Sequence, residues 1–356
     1  MKLPVQSALA WLVCASWLCV SGRASADYTG LAGSSSEKSP FHDSLFFIDQ
    51  SATTTTLGVG KSYQSRDPLY EVWFSLKARY YFYEDDKNSL NLRLWANVID
   101  ELTSSDTTTN EHEPVTGPTW LWGQYERKLF SRHGDDTVVT IGPRFTIPTD
   151  KQSRLGGQIL GVGAIAGLSQ SIALDNVDAS RGGTLLEFYL RPSYFFNRTT
   201  SLANSDLHQL RQDAGGRPVV TDVLNGTMAV HESLDVILAS TTAINRDWTF
   251  TLEYVLLDYW AYRPPNSQIC ILTGCVTPTG QPDATRFRVQ TWLVTQLDYA
   301  FIPEMSVTLG YYNLTNQIGP DGQRRNPLWS PDARFNLTLN AKLDKIYETL
   351  AKKDRN

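Results

Sequence analysis

The sequence predicts an all-β fold: a transmembrane antiparallel up-and-down β-barrel of about 12 strands, within a range of 10 to 16. Three observations predict it. Apolar and polar residues alternate with period two over runs far longer than the soluble strand of about five or six residues. The connections between these runs alternate between short and long. Although 41% of the 356 residues are apolar, nothing beyond the N-terminus reaches the roughly eighteen consecutive apolar residues of a membrane helix. A polytopic helical membrane protein is thereby excluded, and a charged fraction of 19% is too low for a disordered chain. The 10 Trp and 16 Tyr suit membrane interfaces, large sheets or sugar-binding surfaces.

Taken in order, residues 1–26 read as a secretory signal peptide. Lys2 gives a positive start, Ala8 to Val20 an apolar stretch, and Ala24-Ser25-Ala26 a cleavage site before Asp27. Cys14 and Cys19 lie in that stretch without the small residues that precede a lipidated cysteine. Removing it takes away Lys2 and Arg23 and no acid, so the net charge moves from −5 to −7, which offers nothing to nucleic acid. Residues 27–53 form an N-terminal periplasmic segment or plug. Gly33 to Ser39 is Gly/Ser-rich, and the apolar Phe41 to Asp49 suits a plug, an added strand or a docking surface for an envelope protein. The barrel spans 54–344, and 345–356 is a charged C-terminal periplasmic tail.

The twelve strands fall near 54–63, 69–83, 88–99, 117–130, 136–148, 155–174, 183–196, 228–244, 247–262, 285–301, 304–316 and 332–344. In the second, Tyr70, Val72, Phe74, Leu76, Ala78, Tyr80 and Phe82 alternate with Glu71, Ser75, Lys77 and Arg79. In the last, Phe335, Leu337, Leu339, Ala341 and Leu343 alternate with Arg334, Asn336, Thr338, Asn340 and Lys342. One face is steadily apolar and the other carries charges of both signs. A soluble sandwich would have to bury those charges, whereas lipid demands a continuous apolar exterior and no free edge. Brief connections follow the second, fourth, eighth and tenth strands, and long polar ones follow the third, seventh, ninth and eleventh. Cys270 and Cys275 sit in one of the long loops, where a close pair in an exported chain reads as a local disulfide.

On these grounds residues 54–344 resemble the bacterial outer-membrane β-barrel class; the resemblance is architectural and carries no family motif. It implies a location in the bacterial outer membrane, with short turns in the periplasm and long loops outside. The implied partners are membrane lipid, lipopolysaccharide, the barrel-insertion machinery and periplasmic or envelope proteins. Tyr70, Phe82, Trp248, Trp260, Tyr299 and Phe301, near strand ends, read as interface girdles. Such barrels commonly end on a terminal aromatic. Here either Tyr347, ahead of a charged tail, is its displaced counterpart or the insertion signal is internal.

The sequence offers little catalytic chemistry. His42, His112, His133, His208 and His231 form no metal-spaced pair, no phosphate loop or dinucleotide fingerprint is present, and no cofactor or metal is implied. Gly156, Gly157, Gly161, Gly163 and Gly167 mark a bend or a close approach of backbone. Asp85-Asp86, Asp100-Glu101 and Asp135-Asp136 read as solvated loop acids. His231-Glu232-Ser233 followed by Asn245 resembles the His-x-Ser and downstream Asn of outer-membrane phospholipase A, which implies Ser233 as nucleophile, His231 as base and Asn245 as its orienting group. Leu234 to Ile244, however, reads as uninterrupted strand, and His231 and Ser233 fall on the inward face. The chain is read as a non-enzyme.

The remaining inward charges lean basic. The lumen-lining set is Lys77, Arg79, Arg93, Arg144, Arg191, Arg286, Arg288 and Arg334, alongside Glu71, Glu187, Asp235, Glu253, Asp298 and Lys342. Either they pair across the lumen and plug it, or they line water. The expectation is a narrow porin-like channel for small polar or anionic solutes. The alternatives are a structural barrel in a trans-envelope assembly, and the phospholipase-like hydrolase.

Overall fold

The computed structural model describes residues 39–54, 56–59, 69–103, 112, 114–132, 135–173, 183–212, 218–262, 269–271, 274–276, 286–317, 324–330 and 333–353. The signal-peptide reading, the run from Gly33 through residue 38 and the last three residues lie outside them. The elements are β1 (Leu45–Thr53), β2 (Tyr70–Glu84), β3 (Asn88–Glu101), β4 (Pro114–Thr116), β5 (Thr119–Arg132), β6 (Asp135–Ile147), helix α1 (Lys151–Leu155), β7 (Gln158–Ala173) and β8 (Gly183–Asn197). They continue with β9 (Ser201–Gln212), β10 (Pro218–Met228), β11 (Val230–Ala243), β12 (Trp248–Ala261), β13 (Ile269–Ile271), β14 (Gly274–Val276), β15 (Phe287–Ile302), β16 (Met305–Asn316), β17 (Arg334–Lys342) and helix α2 (Leu343–Lys353).

Among the described residues, twelve antiparallel strands close into a ring in the order β2-β1-β17-β16-β15-β12-β11-β8-β7-β6-β5-β3, and β3 pairs back to β2. The three-residue β4 hangs on β3. Closure leaves no open edge, which is the condition for a sheet to cross hydrocarbon. The pleat sorts the side chains. Phe74, Leu76, Leu90, Val98, Leu238, Leu252, Leu309 and Leu337 are exposed on the outer face. Their neighbours Ser75, Asn91, Asn97, Ile237, Glu253, Thr308 and Asn336 are buried on the inner one.

Eleven of the twelve wall strands lie where the alternation places them. The first does not: the wall strand is β1, Leu45–Thr53, so the barrel begins inside the segment read as N-terminal, and of the strand expected at 54–63 residues 55 and 60–63 lie outside the described residues. Leu45 to Ile48 carries no period-two signal because both of its faces are apolar. Phe46 and Ile48 look outward, while Leu45 and Phe47 pack inward beside Lys77 and Trp95. Thr54 and Thr56, β-branched like strand residues, instead build a turn. Thr56 Oγ1 accepts the Leu69 amide at 2.8 Å and donates to the Leu69 carbonyl at 3.2 Å. A threonine hydroxyl competing for backbone groups ends a strand rather than extending it.

One rim carries the brief connections 85–87, 133–134, 174–182, 244–247 and 303–304, together with the start of β1 and the end of β17. The other carries 54–69, 102–118, 148–157, 198–229, 262–286 and 317–333. The 198–229 connection contains its own hairpin, β9–β10, as a separate two-stranded sheet outside the barrel wall. Outward aromatics mark both rims. Tyr80 and Phe82 meet at 5.0 Å and Trp248 and Tyr299 at 4.7 Å on the short-turn rim. On the long-loop rim Tyr194 and Phe196 meet at 5.0 Å and Trp260 and Phe287 at 5.2 Å. The tail read as merely charged is helical through Lys353. Its first amide donates to the Ser44 carbonyl at 2.9 Å, and Thr349 Oγ1 donates to Glu304 at 2.8 Å.

Candidate functional site

Register stacks the inward side chains into rows around the lumen. On β8, β11, β12 and β15 four rows follow one another from the long-loop mouth. The first is Ser193, Ser233, Tyr259 and Arg288, and it continues through Gly163 of β7 to Arg144 of β6. The second is Arg191, Asp235, Leu257 and Gln290; the third, Tyr189, Ile237, Val255 and Trp292; the fourth, Glu187, Ala239, Glu253 and Val294. Two residues of strand separate each row from the next, or about 7 Å.

The glycines of β7 shape this wall. A Cβ on Gly167 would lie 2.0 Å from the Tyr189 ring, and one on Gly163 would lie 2.4 Å from the Pro192 carbonyl and 2.6 Å from Ser193 Oγ. The close approach expected of these glycines is therefore made by β8, whose rings lie over β7. With no side chain at Gly163, Arg144 reaches over β7 and β8 toward Asp235 on β11.

Acidic partners stand beside five of the basic residues read as lumen-lining. Arg79 Nη1 lies 2.9 Å from Asp43, Arg93 Nη2 2.9 Å from Glu126, and Arg334 Nη1 2.6 Å from Glu71. Arg191 Nε and Arg144 Nη1 both face Asp235, at 3.5 and 4.0 Å. Lys77 lies over the Trp95 ring, 4.1 Å from its centroid, and 5.0 Å from that of Phe47. Arg288 and Arg286 stand at the long-loop end of β15. Arg93–Glu126 and Arg191–Asp235 join adjacent strands of the ring. Arg334–Glu71 spans two places and Arg144–Asp235 three. These bridges run along the wall and do not cross to the opposite side of the barrel.

Carboxylates beyond the expected inward set offset much of the basic excess, among them Glu101, which the structure buries on β3 where a solvated loop acid is expected. Asp49 of β1 accepts from Asn336 Nδ2 at 3.0 Å and Thr338 Oγ1 at 2.5 Å. Glu126 accepts from Arg93, Ser89 and Gln124, and Glu101 is buried on β3. Asp49 was hidden by the misplaced first strand. Glu101 and Glu126 were legible from alternation, because each shares its strand's inward parity. The same parity turns Trp73, Trp95, Trp120 and Trp292 inward. The first three form a buried cluster with Ile99, and Trp292 joins Tyr189, Ile237, Val255 and Leu257 in a second. Part of the aromatic content thus belongs to the lumen and not to the girdles.

The hydrolase constellation is not assembled. A register shift between Val230 and Glu232 interrupts the alternation, so His231 does not share the inward face with Ser233. Its ring lies 4.7 Å from that of Tyr262 and 6.1 Å from that of outward Tyr194. Ser233 is buried in the first inner row. Asn245 belongs to the turn at the far end of β11, accepting the Asp247 and Trp248 amides at 2.9 Å. Twelve residues of strand, roughly 40 Å, separate it from Ser233.

A closed even-stranded ring, an apolar exterior with two aromatic girdles and a charged interior together define a class: the transmembrane β-barrel of bacterial outer-membrane type. No family model matches the chain, and no curated protein matches it. Among solved structures it is similar to an outer-membrane channel of Pseudomonas putida F1, at 12% identity and TM-score 0.47, over 87% of this chain and 99% of that one. It is also similar to the NanC porin, at 10% identity and TM-score 0.39, over 83% and 98%. The transport unit of the autotransporter AIDA-I from Escherichia coli matches at 9% identity and TM-score 0.40, over 94% and 97%. What these proteins share with the chain is the barrel architecture.

Proposed function

We propose that the chain is an outer-membrane channel of narrow bore for small polar solutes. The observation that carries this reading is the direction of the inner ion pairs. Arg93–Glu126, Arg191–Asp235 and Arg334–Glu71 lie along the wall, so these pairs hold their charge against the barrel. A preference for anions then falls to Arg286 and Arg288 at the long-loop mouth, since Asp49 and Glu126 balance cations deeper in. Export through the leader at 1–26 would deliver the chain to an outer membrane whose outer-leaflet lipopolysaccharide surrounds that mouth.

Reconstitution in planar bilayers tests the reading. Discrete conductance steps are expected, with a reversal potential in a salt gradient that favours anions and shifts toward cations in Arg286→Gln/Arg288→Gln. Absence of any conductance from folded barrel would overturn it.

We propose also that Cys270 and Cys275 are bonded. Their backbones stand directly opposite each other on β13 and β14, and antiparallel partners about 4.5–5.5 Å apart at Cα fall in the range a disulfide needs. The oxidised protein is expected to resist alkylation at both positions until it is reduced, as read by intact mass.

A further inference from the structure

We propose that the connection between β16 and β17 docks on the lipid of the outer leaflet. Residues 324–330 run down the outside of the barrel, and Leu328 and Trp329 enter the boundary between headgroups and acyl chains. The proposal rests on the placement of the barrel in the outer membrane and not on its being a channel.

The contacts trace the descent. β16 ends at Asn316 on the long-loop rim. The Arg325 amide donates to the Gln317 carbonyl at 3.1 Å, just past that end. Further down the strand, Asn313 Nδ2 donates to the Pro327 carbonyl at 2.9 Å and to that of Asn326 at 3.4 Å. The Tyr311 hydroxyl donates to the Leu328 carbonyl at 2.6 Å. The Trp329 ring lies nearly parallel to that of Tyr311, with centroids 6.1 Å apart. Ser330 Oγ then returns to Asn313 Oδ1, donating at 2.5 Å. From Gln317 to Tyr311 the drop is about 20 Å of strand. Tyr311 and Asn313 share the parity of outward Leu309, so the segment lies on the outer face of the barrel.

The bonds to Asn313 and Tyr311 carry the inference. A loop surrounded by water needs no side chains to satisfy its carbonyls, whereas a carbonyl left free against lipid is costly. β16 supplies donors to three successive carbonyls, Asn326 to Leu328, from the face where lipid selects apolar residues. Asn313 itself is fully buried beneath the segment. The side chains turned away from the wall are apolar: Leu328 is 61% exposed and Trp329 39%. Leu309 and its cross-strand partner Leu337 are 59% and 50% exposed on the same outer face. The segment thus continues the lipid-facing belt, and an indole ring settles where such a belt meets the headgroups.

The test uses the full barrel labelled with fluorotryptophan in phosphatidylcholine nanodiscs and read by fluorine NMR. The Trp329 resonance is assigned by its loss in Trp329→Phe. It is expected to broaden several-fold more with phosphatidylcholine spin-labelled near the top of the acyl chain than with a water-soluble gadolinium chelate. Stronger broadening by the chelate would put the segment in water and overturn the docking. Protection from both agents would mean that protein, such as a second copy of the chain, covers the segment, and would overturn it equally. Tyr311→Phe/Asn313→Val, which removes the donors, is expected to reverse the order of the two agents at Trp329 while the barrel keeps its heat-modifiable band. An unchanged order in that folded variant would overturn the role given to the two donors.

Discussion

At the scale of single residues, the wall depends on what is missing from it. Gly167 has no room for a Cβ because the Tyr189 ring occupies that space, and the Tyr189 hydroxyl donates to Glu187 at 3.0 Å. Gly167→Val is therefore expected to displace the ring and cost about 1–3 kcal/mol, as overpacking does; urea unfolding in micelles measures it. Asp85 shows the opposite economy at an exposed turn. The Tyr83 hydroxyl first, and then the amides of Lys87 and Asn88 at 2.7 and 2.6 Å, hold its carboxyl well below the usual carboxylate range. A depressed carboxyl contributes stability above its ordinary value of 3.8 and loses it only as the pH falls through the lower, folded value. The turn is thus expected to stay unchanged from pH 8 down to about 4, with the Asp85 carboxyl carbon resonance titrating below 3.8. A midpoint at or above 3.8 would contradict these bonds.

At the scale of elements, the strands were legible where lipid imposed an alternation and illegible where it did not. β2, β3 and β17 announce themselves because lipid rejects polar groups on one face while the other keeps its charges. β1 lacks that contrast, since its inward Leu45 and Phe47 serve an apolar patch of the lumen. The pairings were beyond reach for another reason. Glu71 and Arg334 are each visible as inward charges, but only the register of β1 between their strands brings them to 2.6 Å. Helix α2 was likewise passed over as a charged tail. Yet Leu343, Ile346, Tyr347 and Leu350 form one apolar stripe at helical spacing, and Tyr347 and Leu350 are exposed at the rim where Phe82 lies. Such a stripe suits a helix that lies in the headgroup plane. A spin label at Leu350→Cys is expected to be accessible to oxygen in the lipid, and one at Lys345→Cys to a water-soluble relaxation agent; equal aqueous access at both would contradict the placement.

At the scale of the whole molecule, the outer and inner surfaces answer to different solvents. Rings and aliphatic side chains face lipid, while arginines, carboxylates and buried tryptophans face one another within. The general form of the inner surface could be read from parity; its balance of charge could not, because Asp49 enters only with β1. That strand also completes the ring, pairing with β2 on one side and β17 on the other. A chain lacking residues 39–53 is expected to show no heat-modifiable band on a gel, whereas the full chain shows one; a modifiable band from the truncated chain would place the seam elsewhere. The seam has a consequence in time. Leu45 meets Lys342, partners about 300 residues apart, so loop-closure entropy sets against the last pairing to form. All other wall strands pair with their nearest wall neighbour in sequence, yet no ring exists until the final strand has been synthesised and exported. Until then both seam edges are open templates for a second chain, and the rate at which β17 finds β1 decides whether a given molecule becomes a barrel or an aggregate.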